Sequence, residues 1–248
     1  MNIGIYGDSF AAIFHPCPLE THWVYKLGKK INTPIVNFAR TASSTFYSYK
    51  KFLENYHMFD INIFLFTTPY RYTKPVVFEN GYHPPDFFAN YAHIENILKR
   101  NEQSDGSLTK RDLEFLENLK GWFIVSDDEY NEEMQFLMLK EIISKDKNVI
   151  LYPSLPASVT NKIKKEIDRD FDTNAIAWAN KAGDFYNVKL GDYTENLSTI
   201  GSHMTEEVNA AFAEAMYNYI TTGKKIEIPD VIEHKKELSY YYIKKEKQ

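Results

Sequence analysis

Short apolar runs of strand length recur along this chain, each followed by a stretch with helical spacing, and no other feature of the sequence restricts the fold as much. The runs lie near Met1 to Tyr6, Pro34 to Phe38, Ile61 to Thr67, Asn148 to Tyr152 and Phe185 to Leu190. Their near-continuous apolar content marks strands covered on both faces, and parallel neighbours need the crossover helices that the intervening stretches can supply. The pattern predicts an α/β fold, a five-stranded parallel sheet with helices on both faces.

The helices can be bounded from the same pattern. Thr21 is a candidate cap for a helix to about Asn32, with Trp23, Leu27 and Ile31 at four-residue spacing and Thr33-Pro34 as the stop. An aromatic-rich helix capped by Ser43 or Ser44 runs to about Tyr56. From Glu129 to Lys145 the residues Met134, Leu137, Met138, Glu141 and Ile142 form a stripe expected to face the sheet. Asn161 to Ala182 reads as helical with a break around Arg169 to Thr173 and with Ile163, Ile167, Ile176 and Trp178 inward. The last helix is capped by Thr205, carries Val208, Phe212, Met216 and Ile220 on one face, and ends before Gly223.

Between Thr68 and Asn148 the chain is far longer than one crossover helix requires, so an insertion is expected at 70–128. It opens with an aromatic, Pro-rich loop from Tyr70 to Phe88, in which His83 reads as a loop residue rather than a catalytic one. Two helices near Ala89 to Lys99 and Thr109 to Leu119 complete a cap over the cleft or a surface for a protein partner. Residues 1–223 are read as one domain and the Lys-rich 224–248 as a solvated tail or packing arm.

Composition narrows the function classes. The 248 residues are 44% hydrophobic and 25% charged, which describes a globular protein with a substantial core. A net charge of −5 provides no global field for nucleic acid, which is not expected as a partner. Cys17 is the sole cysteine, which excludes an intrachain disulfide and a Cys-based zinc site. Neither a phosphate-binding glycine loop nor a metal-ligand cluster is evident, so no cofactor is expected. No run approaches the roughly 18 apolar residues of a spanning helix, so a membrane is not expected as a partner either. Met1 leads into the first strand without signal-peptide features, and the expected location is cytoplasmic, or virion-associated or lysis-released for a viral protein.

The first strand stops at Gly7-Asp8-Ser9-Phe10. Ligands of open α/β sheets bind at the carboxyl edge of the strands, where Ser9 can present its hydroxyl to a cleft and the amides around Gly7 to Phe10 can serve an oxyanion. Gly, Asp and Ser are equally at home in a plain strand-to-helix turn. Near the other end, Gly201-Ser202-His203-Met204 places a histidine just before the last helix.

Gly7-Asp8-Ser9 near the start and His203 near the end together resemble the SGNH (GDSL-type) hydrolases, esterases and acyl hydrolases on a flavodoxin-like α/β/α sandwich. The resemblance implies Ser9 as nucleophile and His203 as base. It also implies an oxyanion hole formed by the amide of Ser9 and by the turn after the second strand. That turn in the family often reads Asn-x-Gly-x-Ser-Gly-x-Thr. Here Asn37, Thr41 and Ser44 keep its polar residues while Ala42 stands at the later Gly, keeping an amide to donate. A third family block supplies an oxyanion Asn after the third strand, where this chain has Thr67-Thr68-Pro69-Tyr70-Arg71. Thr68 or Arg71 is the candidate replacement, and Arg71 can equally pair with a surface carboxylate. The family's acid, usually an Asp three residues before the His, is Ile200 here. Asp192, Glu195 or a carbonyl of Ser198 to Ile200 remain to orient His203, with Glu195 or a carbonyl expected.

Two functions follow. One is a divergent serine hydrolase acting on a small ester or acylated substrate. The other is a catalytically degenerate SGNH fold used as a binding or structural module, of viral (phage) or mobile-element origin, with 70–128 as its interaction surface. A flavodoxin-like or response-regulator-like domain is disfavoured because no acidic cluster or phosphate loop follows the first strand.

Overall fold

The computed structural model describes residues 1–13, 19–41, 43–67, 69, 72–74, 87–89, 91–103, 108–125, 128–154, 175–180, 204 and 206–229. Strand β1 (Ile3–Tyr6) lies between β2 (Ile35–Asn37) and β3 (Ile61–Phe66), parallel to both, with Ile3 opposite Ile35 on one side and Ile61 on the other. After a two-stranded antiparallel ribbon, β4 (Tyr72–Lys74) with β5 (Phe87–Ala89), the strand β6 (Ile150–Pro153) joins the outer side of β3 in parallel. The sheet order is β2-β1-β3-β6, so the chain moves one way from β1 to β2 and then the other way to β3 and β6. This is a doubly wound α/β sheet with its switch point between β1 and β3. Four of the five expected strands are present; the fifth, near 185–190, lies outside the described residues.

Alternation along each strand divides the core between two faces. Ile3, Ile5, Ile63, Leu65, Ile150 and Tyr152 point to one face, covered by α1 (Trp23–Ile31) and by α7 (Glu206–Thr222), with α6 (Ala175–Asn180) alongside. Trp23, Trp178 and Phe212 meet there edge to face, with ring centroids 5.1 and 5.2 Å apart. Tyr6, Phe64, Phe66 and Leu151 point to the other face, under α2 (Thr45–Asn55) and α5 (Asp128–Lys145). Full burial of each large apolar side chain contributes about 1.5–3 kcal/mol. A Cβ at Gly4 would meet the Phe59 ring at 2.6 Å and the Tyr6 hydroxyl at 2.9 Å; the hydroxyl donates to Asn62 Oδ1 at 3.1 Å.

Two helix expectations are corrected. The cap of α1 is His22, whose Nδ1 accepts from Val24 N–H, because Leu19–Thr21 winds into a 3-10 turn and places Thr21 one step too early. In α5 the sheet-facing residues are Phe136, Leu139 and Ile142 with Asn131 and Gln135, while Met134 and Leu137 are 41% and 49% exposed. This helix is apolar on more than one side, and the face chosen by spacing alone was rotated from the buried one. Glu141, counted in that stripe, accepts from the Tyr49 hydroxyl of α2, and partial burial together with that carboxylate pushes the phenol up to about 12.

The insertion is partly helical, as expected. Helices α3 (Tyr91–Gln103) and α4 (Lys110–Val125) share a separate small core of Ile94, Leu98 and Leu116. Thr109 and Asp112 exchange bonds at 3.1 and 3.2 Å as a capping box for α4. The β4–β5 ribbon stands where a loop was expected, and His83 and Arg71 are outside the described residues. Beyond α7, Gly223 has φ of 71° and Ile226 is buried against the α1–α7 face, so the segment starts as a packing arm; 230–248 are outside the description. Among the described residues, no helix is long and apolar enough to cross a membrane.

Candidate active site at the carboxyl edge

Because β1 is flanked by β2 and β3, its carboxyl end opens at the switch point of the sheet, and the next residues are Gly7, Asp8 and Ser9. Gly7 is required by space. A Cβ there would lie 2.8 Å from Leu65 Cβ and 3.2 Å from Ala11 Cβ, so the chain turns tightly against β3 only without one. Asp8 then closes one helical turn: its carbonyl accepts from Ala11 N–H at 3.0 Å and Ala12 N–H at 2.9 Å. Its carboxylate Oδ1 also accepts from Phe10 N–H at 3.1 Å, spanning Ser9 from both sides. Ser9 is 8% exposed.

The turn is braced from three other elements. From the segment after β2, Arg40 N–H and the Ser43 hydroxyl both donate to the Gly7 carbonyl, at 3.1 and 2.8 Å. Asn37 Nδ2 donates to the Ala11 carbonyl at 2.7 Å while its Oδ1 accepts from Ala39 N–H at 2.9 Å. From α1, Trp23 Nε1 donates to the Phe10 carbonyl at 2.6 Å. From the end of β6, the Ser154 hydroxyl donates to Asp8 Oδ1 at 2.9 Å. Both Asp8 and Ser154 are buried, at 1% and 0% exposure.

The sequence-expected residues fare unequally. Ser44 is the cap of α2, accepting from Tyr47 N–H at 3.2 Å, so of the two candidates it takes that role, and Ser43 instead braces Gly7. Asn37 is part of the site as a brace of the Ser9 turn, and Thr41 is exposed beside it. Ala42, Thr68, Asp192, Glu195, Ser198 to Ile200, Thr205 and His203 lie outside the described residues. Met204, next to His203, is described: its carbonyl accepts from Asn209 Nδ2 at 2.9 Å, and Asn209 Oδ1 accepts from Trp23 N–H at 2.9 Å.

Ser154, Gln135 and the indole of Trp23 were missed as site residues. A polar residue directly after a buried parallel strand must stand at the carboxyl edge, and Ser154 follows β6 just as Asp8 and Ser9 follow β1; that was the available signal. Gln135, about two turns into α5 and next to the apolar residues Phe136 to Leu139, donates through Nε2 to the Thr67 carbonyl at 2.6 Å and to Thr45 Oγ1 at 2.7 Å. It thereby holds the end of β3.

No protein-family model matches the chain, and no curated protein matches it in sequence. Among solved structures, a member of the lipolytic protein G-D-S-L family from Veillonella parvula DSM 2008 overlaps 90% of this chain and 98% of its own at 11% identity, with a TM-score of 0.37. A putative lipolytic protein of the G-D-S-L family from Desulfitobacterium hafniense DCB-2 overlaps 81% of this chain and 93% of its own at 12% identity, with a TM-score of 0.26. Neither likeness adds a residue to the site.

Proposed function

We propose that the chain is a serine hydrolase that cleaves a small acyl or acetyl ester, with Ser9 as nucleophile and His203 as base. The observation that carries this is the bracing of the Ser9 turn at the switch point. A turn that only joined β1 to α1 needs no hydrogen bond from the far strand β6, yet Ser154 supplies one. Rigid placement of a hydroxyl where ligands enter is what nucleophilic attack requires. The tie between the two ends of the chain adds support, since Phe10, next to Ser9, and Met204, next to His203, are both held through Trp23, the latter by way of Asn209.

In this reading His203 accepts the Ser9 proton as the hydroxyl attacks the ester carbonyl. The amides of Ser9 and Ala42, with the Thr68 hydroxyl, receive the oxyanion, and His203 returns the proton to the departing alcohol. Water then releases the acyl group from Ser9 by the same steps. Glu195 or a nearby carbonyl orients the imidazole; Asp192 is the other acid within reach in sequence. The test uses the full chain with a fluorophosphonate probe and p-nitrophenyl acetate. The wild type is expected to be labelled and the Ser9→Ala variant not at all, while His203→Ala slows labelling by about 10³-fold or more. A wild type that is neither labelled nor faster than Ser9→Ala on any short-chain ester overturns the reading.

The binding-module alternative draws on one observation, the separate core of Ile94, Leu98 and Leu116 in the α3–α4 hairpin, which gives the insertion a packed unit of its own. Such a module keeps its partner when Ser9 is replaced by Ala; the hydrolase loses its chemistry.

A further inference from the structure

We infer that Ser154 is a positioning residue for the nucleophile, acting through the Asp8 carboxylate, an assignment that rests on the hydrolase reading of Ser9. The Ser154 backbone is fixed first: its N–H donates to the Phe66 carbonyl at 2.7 Å, continuing the β3–β6 ladder one residue past the strand. That fixes where its hydroxyl can point. The hydroxyl reaches Asp8 Oδ1 at 2.9 Å, so the end of β6 is tied to the end of β1 although β3 lies between them in the sheet.

The same oxygen, Asp8 Oδ1, accepts from Phe10 N–H at 3.1 Å. One carboxylate oxygen therefore fixes the amide just after Ser9 and is itself fixed by Ser154. Rotation of the Asp8 side chain would release Phe10 N–H, and with it the turn that presents the Ser9 hydroxyl. At 1% and 0% exposure, water cannot readily take the place of the missing donor. Hydrogen bonds to a carboxylate are shorter and stronger than neutral ones, which suits this one to holding a geometry. The hydrogen bonds of Ser154 go to Phe66 and Asp8, so its effect on Ser9 passes through placement.

The experiment measures the second-order rate of fluorophosphonate labelling and kcat and KM on p-nitrophenyl acetate for the wild type, Ser9→Ala, Ser154→Ala, Ser154→Cys, Ser154→Thr, Asp8→Asn and the Asp8→Asn/Ser154→Ala double variant. Ser154→Ala is expected to lose roughly 10- to 100-fold in labelling rate and kcat with KM held within about threefold, the signature of misplacement without lost substrate binding. Ser154→Cys fills the site with a weak donor and should fall in the same direction, which covers the case in which the Ala variant folds poorly. Ser154→Thr restores the hydroxyl and should recover to within about threefold of wild type, allowing for its added methyl. The double variant should be no slower than the slower single one, because both act on one interaction. Equal labelling of wild type, Ser154→Ala and Ser154→Cys overturns the assignment while leaving the hydrolase reading intact, as does full additivity in the double variant. Absence of Ser9-dependent labelling in the wild type overturns the hydrolase reading and this assignment with it.

Discussion

Two strand ends face each other across the switch point, and they are held in opposite ways. At the end of β1, the carbonyls of Gly7, Asp8, Phe10 and Ala11 and the Asp8 carboxylate all have donors, drawn from the β2 segment, α1, β6 and the turn itself. At the end of β3, Thr45 Oγ1 accepts from Thr67 N–H at 3.1 Å and Gln135 donates to the Thr67 carbonyl, yet Thr67 Oγ1 and Gln135 Oε1 are buried with no hydrogen-bond partner among the described residues. Buried polar atoms are nearly always paired, so β3 ends in a half-satisfied network and β1 in a satisfied one. The turn at Gly7-Asp8-Ser9 is therefore the more fully braced of the two strand ends. The Ser9 turn is held from several elements at once, whereas the end of β3 rests on Thr45 and Gln135.

The largest expected effect comes from filling the space that lets β1 turn. Gly7→Ala places a Cβ 2.8 Å from Leu65 Cβ and 3.3 Å from the Leu65 carbonyl oxygen, so either β3 or the turn must move. Overpacking of this kind costs about 1–3 kcal/mol, and a displaced hydroxyl costs on the order of 10²-fold in rate. Urea denaturation and probe labelling measure the two separately. Unchanged labelling would break the comparison, since it would mean that the turn's position is not what the braces hold.

Next in size is Trp23→Phe, which removes the indole bond to the Phe10 carbonyl and leaves space beside Phe212. It is expected to destabilise by about 2 kcal/mol and to slow labelling as well, because the carbonyl next to Ser9 loses its donor. A change in stability without any change in labelling would assign Trp23 to the core alone.

Much of this was legible in advance, and where it was not, the reason is physical. The strands announced themselves because parallel strands buried on both faces must be apolar throughout, and Trp23 and Trp178 could be placed in the core from spacing. For α5, spacing failed: with Tyr130, Met134 and Leu137 exposed and Phe136, Leu139 and Ile142 buried, apolar residues occur on both sides, and only tertiary packing selects one. The position of Gly7-Asp8-Ser9 at the carboxyl edge was readable because it directly follows an apolar strand. The long-range supports were not, because Ser154 reaches Asp8 across 146 residues and Gln135 reaches Thr67 across 68, and no local pattern encodes such pairings.

On the β3 side the expected loss is smaller. Gln135→Leu removes both donors from Thr45 Oγ1 and the Thr67 carbonyl, but it also removes the unpaired Oε1, and the Thr45 hydroxyl remains 3.4 Å from that carbonyl. A net cost of about 1 kcal/mol is expected, with labelling reduced less than in Gly7→Ala. If Gln135→Leu abolished labelling, the order of the two strand ends would be reversed, and β3 would be the side that sets the nucleophile.

The smallest effect comes from the Tyr6 hydroxyl, which reaches back from the last residue of β1 to the second residue of β3 and joins the two strands side chain to side chain. Tyr6 donates to Asn62 Oδ1 at 3.1 Å, and Asn62 Nδ2 donates to Asp146 Oδ2 at 2.9 Å. Tyr6→Phe leaves Asn62 with one donor fewer and should cost about 0.5–1.5 kcal/mol, without altering probe labelling, because the lost bond holds none of Gly7, Asp8 and Phe10. Burial, and secondarily the charge of Asp146, hold the Tyr6 phenol well above its ordinary value of 10.0. A phenol raised in the folded state contributes stability that is present in full below about pH 10, where tyrosine in the unfolded chain titrates, and that is lost as pH rises above it. Wild-type stability should therefore fall above about pH 10, and Tyr6→Phe should fall less steeply over the same range. Labelling that tracked this alkaline loss of stability while the protein stayed folded would show that the Tyr6–Asn62 bond governs the site, and would break the separation between that bond and the braces of the Ser9 turn.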